Sequence, residues 1–512
     1  MATTTPNDIE QHHPQYDYRA PDWTLIEDGY EGERRIKLRG EVYLPMTSGQ
    51  IALGAGTGAN GKPKEGQQLY DAYKMRANYP AILKDTANAL VGILNREPPV
   101  IELPTALEEL LKKATDRGEP LEALLRRIQL NQLLYGRHGI LIDVDESRNL
   151  PYLVDFVAKR IINWDDVAKP ETAERKLLMV VTDETRMVRT GFRWEERKKF
   201  RAMELDDAGN YSVTIEDDGR RAAPIVPSIQ GKTIDFVPFV FANAVDLVAE
   251  VGDVPLLGLA NLALTIYRGD ADYRQALFMQ GQDTLVIIGE DVDPTNPDER
   301  IIVGAGALIN LPSENADAKF IGADSNGLPE MREAQAADFE RSTNYGLQMM
   351  SQGAGAEAAE TLKIRVAART ADLVSVAQTS AGALTQALQM AATWIGANPD
   401  EVRVESNTDF IDEAMPAAEL LGYMNAKSRG APLSLKSIHA LMRKGDVTQL
   451  SFEEEQEELD GEPEPDNTNG LGEPGQVDEN GNPIEPVPGQ QPGQQPPGQQ
   501  PPPGRQPPNP QE

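Results

Sequence analysis

Seven residues, Gly56-Thr57-Gly58-Ala59-Asn60-Gly61-Lys62, carry the glycine and lysine spacing of a phosphate-binding loop. Such a loop needs Ser or Thr after the lysine, whose hydroxyl holds magnesium, and a helix that opens at the lysine. Here Pro63 follows, and the chain continues Lys64-Glu65-Gly66, so the pattern breaks where the chemistry requires it. Downstream, Ile140-Leu141-Ile142-Asp143-Val144-Asp145-Glu146 reads like the apolar strand with an acidic end that holds magnesium in such ATPases. Lys62 and Asp143 together define an ATPase alternative. The competing reading is a glycine-rich surface loop and a buried strand ending in an acidic turn, and it fits these residues better.

Other chemistry has few carriers. The histidines are His12, His13, His138 and His439, the first two in a polar start, so a histidine triad or zinc cluster lacks members; His138 reads as structural. Asp143, Asp145 and Glu146 lack the glycine and terminal glutamate spacing of an EF-hand loop. Arg193, Arg197, Lys198, Lys199 and Arg201 form the main basic cluster, but Glu195, Glu196 and Glu204 interrupt it, which points to a solvated face. No catalytic residue, metal or cofactor is expected.

Composition narrows the classes further. Lys and Arg total 49 against 81 Asp and Glu, a net charge of −32. That charge repels phosphate and disfavours tight nucleic-acid binding. Duplex DNA stays compatible as a passing guest, because a wall along which DNA slides must avoid many simultaneous ion pairs with phosphates. The absence of cysteine among 512 residues removes disulfides and thiolates and suits a reducing compartment. Met1 to Gln15 is polar and resembles neither a secretory nor a transit segment, so the chain is expected to start in cytoplasm. The longest uncharged apolar run, between Asp253 and Arg268, is short of the roughly 20 residues a membrane helix needs.

The elements that would position these residues follow from periodicity. The length exceeds what one hydrophobic core supports, so several packed units are expected. Ser48 to Gly66 reads as an exposed glycine-rich loop. Helices are expected at Tyr70 to Leu94 and Leu107 to Tyr135, then strands at Gly139 to Val144, Leu177 to Val181, Tyr211 to Ile215 and Phe236 to Phe241. Pro255 can open a helix running through about residue 280. Strands at Thr284 to Ile288 and Ile301 to Leu311 precede a helix at Glu330 to Met350. Ala356 to Ile395 is the longest expected helix, roughly 60 Å at 1.5 Å per residue, with Gly382 as a kink point. Six acids among Glu453 to Asp460 read as a solvated helix end, and Gly461 to Glu512, with 15 prolines and no aromatic residue, cannot form a core.

Six segments follow one another along the chain: YDAYKMRANYPAILKDTANALVGILNREPP from Tyr70, LYGRHGILIDVD from Leu134, RIINW from Arg160, VPFVF from Val237, PLLGLANLALTIYRGDADYRQAL from Pro255 and TLVIIG from Thr284. In this order they resemble phage portal proteins, over roughly residues 70 to 453. The later Asn407-Thr408-Asp409-Phe410 is also similar to the family. None is a catalytic signature; the ordered conjunction carries the likeness.

The resemblance implies an α+β portal-like fold repeated as a ring of about twelve copies around an axial channel. It implies an N-terminal region and α/β wing over residues 1–255, a first stem helix at 256–280, a small β-containing clip at 281–329 and a second stem helix at 330–350. A tunnel loop at 351–360 would face DNA through Ser351, Gln352, Gly353, Gly355, Glu357 and Glu360, although a plain helix-to-helix connector fits the same glycines. A long kinked helix and return to the wing at 361–410, a helical crown at 411–460 and a Pro/Gly/Gln-rich tail at 461–512 complete the scheme. The implied function is passage of double-stranded DNA through one capsid vertex during packaging and ejection. The implied partners are further copies of the chain, the terminase large subunit, a head–tail adaptor, the major capsid protein and scaffolding protein, with no membrane. The implied location is the virion, after assembly in host cytoplasm. The alternatives are a DNA-packaging ATPase and a structural capsid component without a channel.

Overall fold

The protein has an α+β fold, and a computed structural model describes residues 9–145, 150–168, 175–206, 208–228, 231, 233–280, 284–288, 317–321, 327–350, 359–408, 410, 417–429, 431–444, 447–448 and 450–461. The chain divides into two compact units, Met1–Phe410 and Ile411–Glu512.

The first unit opens with α1 (Pro14–Glu31), α2 (Glu33–Arg39), α3 (Ser48–Ala52), α4 (Glu65–Arg76) and α5 (Ile82–Leu94). The polar N-terminal stretch is therefore partly helical. The His13 side chain accepts the Gln15 N–H, and Pro14 fills the first turn, where no amide is needed. Trp23 and Ile26 are wholly buried with Leu83 and Leu90, and the Trp23 indole donates to the Tyr135 carbonyl at 3.0 Å. Asp28 is fully buried and accepts from Arg35 and Arg39 at 2.7 Å and from the Tyr43 hydroxyl at 2.6 Å. Burial alone would raise its pKa, but hydrogen bonds from Arg39, Tyr43 and Arg35 hold it below the usual carboxylate value.

Three expectations are corrected here. The helix expected from Tyr70 to Leu94 is two helices, because Pro80 lacks an N–H and drives the preceding residue out of helical conformation. The helix expected from Leu107 to Tyr135 breaks likewise before Pro120, leaving a 3-10 segment, Thr105–Leu111, and then α6 (Leu121–Tyr135). The loop expected from Ser48 to Gly66 holds α3, whose cap is a reciprocal pair between Thr47 and Gln50. Gly66 is buried in α4, where a Cβ would stand 2.0 Å from the Gln50 carbonyl oxygen.

The strands of this unit are β1 (Val100–Glu102), β2 (Arg137–Asp145), β3 (Leu150–Val157), β4 (Ile161–Ala168), β5 (Arg175–Asp183), β6 (Arg186–Thr190), β7 (Arg193–Arg197), β8 (Lys199–Leu205), β9 (Tyr211–Asp217), β10 (Arg220–Arg221) and β11 (Phe239–Asn243). They build a five-stranded sheet in the order β10-β9-β8-β5-β4 and a three-stranded sheet β11-β2-β3, both antiparallel. Strands β6 and β7 pair with each other as a separate ribbon.

Helix α7 (Leu257–Gln280) leads into β12 (Thr284–Ile288), which pairs with β13 (Asp317–Ile321), and α8 (Leu328–Met350) follows. The strand expected at Ile301 to Leu311 lies outside the described residues. Helix α9 (Ala359–Ile395) runs unbroken through Gly382. Its buried face is rich in alanine, with Ala383, Ala387, Ala391 and Ala392 at 0% exposure. Small side chains let the helix approach closely, and it packs with α6, β2 and β11 around Ile140, Ile142, Phe239 and Phe241. Strand β14 (Arg403–Glu405) then pairs antiparallel with β1.

The second unit contains α10 (Ala417–Ser428), α11 (Leu435–Lys444) and α12 (Phe452–Gly461). Ser434 caps α11 by accepting the Ser437 N–H at 2.9 Å. At α12, Glu454 N–H donates to the Ser451 hydroxyl and Ser451 N–H to the Glu454 carboxylate. Acids in that first turn also favour the positive end of the helix. His439 meets Phe452 edge-on at 5.4 Å. The expected tail from 462 onward lies outside the described residues.

Candidate functional site

The glycine-rich loop closes on itself. Gly58 N–H donates to the Lys62 carbonyl at 2.8 Å, Gly61 N–H to the Gly58 carbonyl at 3.0 Å and Lys64 N–H to the Gly56 carbonyl at 2.9 Å. Lys62 N–H donates to Asn60 Oδ1 and Gly56 N–H to Gln67 Oε1, both at 3.0 Å. Amides that a phosphate cradle would present are used internally, and α4 opens at Glu65 rather than at Lys62. Asp143 is committed as well: it pairs with Arg201 at 2.6 Å and accepts from the Tyr152 hydroxyl at 3.2 Å. Its strand lies in an antiparallel sheet, whereas phosphate-loop chemistry belongs to a strand–loop–helix unit. Lys62 and Asp143 thus form no nucleotide site in this conformation.

The basic cluster is only partly a solvated face. Arg197 pairs with Asp217 at 2.6 Å and Lys198 with Glu10 at 3.0 Å, both on the surface. Lys199 pairs with Glu184, and Arg201, 14% exposed, bridges Asp143 and Glu184. Burial pulls the Arg201 pKa down, but Glu184 and Asp143 raise it further, so the guanidinium stays charged.

Sequence reasoning noticed His138 and missed its neighbour. Arg137 is fully buried, with its guanidinium 4.0 Å from the Trp164 ring and 4.2 Å from the Phe241 ring. It donates to the Ala249 carbonyl at 2.9 Å, and burial lowers its pKa to about 9. An arginine just before the apolar run Gly139 to Ile142 is the available signal. His138 is also fully buried, and desolvation, then the charge of Arg127, push its pKa down to about 3. It is a neutral packing residue. Among the described residues no group of His, Asp and Glu could hold a metal ion, and no helix is long and apolar enough to cross a membrane.

The α7–α8 pair also leaves apolar side chains exposed among the described residues. Helix α7 buries Leu259, Ala260, Ala263, Leu264, Ile266, Tyr267 and Ala271, and none of its later residues is buried. The later turns are pinned to α4: the Tyr73 hydroxyl donates to Asp272 at 2.5 Å, and Arg76 donates to Gln275 at 2.6 Å and stacks over Phe278 at 3.9 Å. Beyond that point Leu277, Phe278 and Met279 remain 43%, 40% and 54% exposed. Helix α8 returns in the opposite direction, its Gln335 beside Gly269 and its N-terminal residues beside Leu277. Between the helices lies a groove of about 560 Å³ lined by Tyr273, Leu277, Leu328 and Ala336. Over residues 328–343 of α8 only Ser342 is buried, and Phe339 is 45% exposed. Over these residues α8 buries little apolar surface against the rest of the chain. The arrangement offers apolar contact at the end of the helical pair.

Of the residues expected to face DNA, Ser351, Gln352, Gly353, Gly355 and Glu357 lie outside the described residues. Glu360 falls in the first turn of α9.

Comparisons with known proteins add the following. A family model described as a domain of unknown function (DUF4055) matches residues 255–395, little more than a quarter of the chain and the segment that holds α7, β12, β13, α8 and α9. No curated protein matches. Among solved structures, a chain of the virion of a native gene transfer agent particle is 15% identical, with a TM-score of 0.38, covering 77% of this chain and 98% of that one. A chain in the neck of an empty gene transfer agent particle, computed with C6 symmetry, is 14% identical at a TM-score of 0.38, covering 71% and 90%. One in the neck of the native particle, computed with C12 symmetry, is 14% identical at 0.34, covering 79% and 98%. Likeness at this level assigns no function.

Proposed function

We propose that this chain is a portal subunit: about twelve copies close into a ring at one capsid vertex, and double-stranded DNA is packaged and ejected through the bore. The observation that carries the reading is the α7–α8 pair, with β12 and β13 between its helices and an apolar surface that the described residues leave uncovered. Six ordered sequence segments support it, and two of them fall on α7 and β12.

On this reading α7 and α8 form the stem and residues 281–329 the clip, which docks the terminase large subunit and later the head–tail adaptor. Residues 1–255 and the return after α9 form the wing, which meets the major capsid protein and, during assembly, scaffolding protein. Residues 351–360 line the tunnel, and residues 411–460 form the crown. The location is the portal vertex of the virion, after assembly in host cytoplasm.

The mechanism is geometric. Heterologous contacts repeated about one axis close a ring, and its faces dock partners in succession. ATP hydrolysis belongs to the docked motor, in keeping with the internally bonded glycine loop and the committed Asp143. An acidic bore wall, in keeping with the net charge of −32, would turn phosphates toward the axis and limit the counterion-releasing contacts that make DNA adhere.

Native mass spectrometry with negative-stain imaging of one purified sample tests the proposal. Closed rings of about a dozen subunits with an axial hole are expected. A persistent monomer under assembly conditions overturns the portal reading. Sheets or icosahedral shells point instead to a capsid component without a channel.

A further inference from the structure

The five-stranded sheet sends out a ribbon that the other described residues leave bare. Asp183 and Phe200 face each other across β5 and β8, and between them β6 and β7 pair from Arg186↔Arg197 to Thr190↔Arg193. Gly191, at φ +64, opens a two-residue turn that matches the twist of the strands and places Phe192 at the tip. All of β7 and all but Val188 of β6 are exposed. Phe192 is 101% exposed, Trp194 63% and Met187 55%. The register puts Met187, Arg189, Trp194 and Glu196 on one face.

A two-stranded ribbon is marginal in water by itself, and aromatic side chains in full contact with solvent add to its instability. These are the properties of a surface covered in an assembly, with large apolar anchors at its centre. Charge identifies the cover. The ribbon carries four arginines, Arg186, Arg189, Arg193 and Arg197, against Glu195 and Glu196; with Arg197 already paired to Asp217, a surplus of one positive charge is left on the ribbon in a chain whose net charge is −32. Copies of so acidic a protein repel one another, and a basic projection from one lessens that repulsion where it meets an acidic surface of its neighbour. A ring of identical subunits also requires two different surfaces on each copy, one projecting and one receiving.

We infer that the β6–β7 ribbon is an arm that docks on an acidic surface of a second copy of this chain, with Phe192 and Trp194 as anchors. The inference rests on the ring reading above for its geometry, and on exposure and charge for its partner.

The cysteine-free chain permits a direct test. Phe192→Cys, labelled with a maleimide-benzophenone and irradiated, is expected to give covalent dimers and a ladder of higher bands on a denaturing gel. The cross-linked peptides should come from a second copy and be rich in Asp and Glu. In parallel, Phe192→Ser with Trp194→Ser is expected to raise the protein concentration at half-assembly roughly tenfold or more, with an unchanged circular dichroism spectrum. Rings that form without cross-links, and at the same concentration for the double variant, overturn the arm and leave the portal reading intact. Cross-linked dimers that never close into rings support the arm and overturn the portal reading. A monomer with no cross-link overturns both. Cross-linking to nucleic acid or to another virion protein, but not to a second copy, overturns the choice of partner.

Discussion

His138 and Gly136 show how strongly single positions are constrained around the start of β2. Below about pH 6.5 the imidazole in an unfolded chain takes up a proton, whereas the buried one refuses it until about pH 3. The unfolded state therefore binds more protons across that window, and stability falls as pH drops through it. The loss is about 2 to 3 kcal/mol by pH 4.5. His138→Gln, which does not titrate, should lose less urea resistance between pH 7 and pH 4.5 than the parent; equal losses would show that His138 is not held neutral. Gly136 closes α6 at φ +71, and a Cβ there would stand 2.1 Å from the Asp253 carbonyl oxygen. Gly136→Ala should cost about 2 kcal/mol or more, combining left-handed strain with a backbone clash, and lower the urea midpoint accordingly. At this scale the sequence was legible only where a local rule decides the matter. Pro63 disqualifies Lys62 without any structure, but the burial of Arg137 is set by Trp164 and Phe241, which are distant in sequence.

Helices α7, α8 and α9 are legible because each is long and periodic, with proline only in the first turn of α8 and isolated glycines, Gly382 among them, that leave the helices continuous. The two helices misread as continuous contain Pro80 and Pro120, whose local effect outweighs the apolar periodicity around them. Helix α1 went unread because Pro21 lies inside it and its polar and apolar residues are poorly segregated. Strands β6 and β7 went unread because arginine and glutamate dominate them and neither face is buried. The stripe of α9 finds its partner within the chain: Leu373, Ala377, Leu384 and Leu388 are buried. Its alanines fix the spacing to α6 and the β11-β2-β3 sheet. Ala387→Leu should therefore overpack that layer and cost about 1 to 3 kcal/mol, seen as a lower urea midpoint at unchanged slope. The same change at an exposed α8 position such as Ala337 should be nearly silent.

For the molecule as a whole, charge was the most informative quantity in the sequence, and it yields a prediction free of any local geometry. At −32 the protein should bind duplex DNA weakly even at low salt in filter-binding or anisotropy assays. A tight complex with a steep salt dependence would contradict sliding through an acidic bore.

Closure of the first unit depends on late-made chain. Strand β1 at residues 100–102 waits for β14 at 403–405, and the cluster holding Trp23 also includes Leu373 and Val376. A ribosome working at roughly 5 to 20 residues per second needs about 20 to 80 s to reach the closing strand. Throughout that interval α1 and α5 lack their final neighbours. A chain stalled or cut before residue 403 lacks the strand that completes its small terminal sheet, however much of α7 and α8 it has made. A chain that ends before residue 373 lacks, besides β14, the Leu373 and Val376 side chains that pack in the cluster with Trp23.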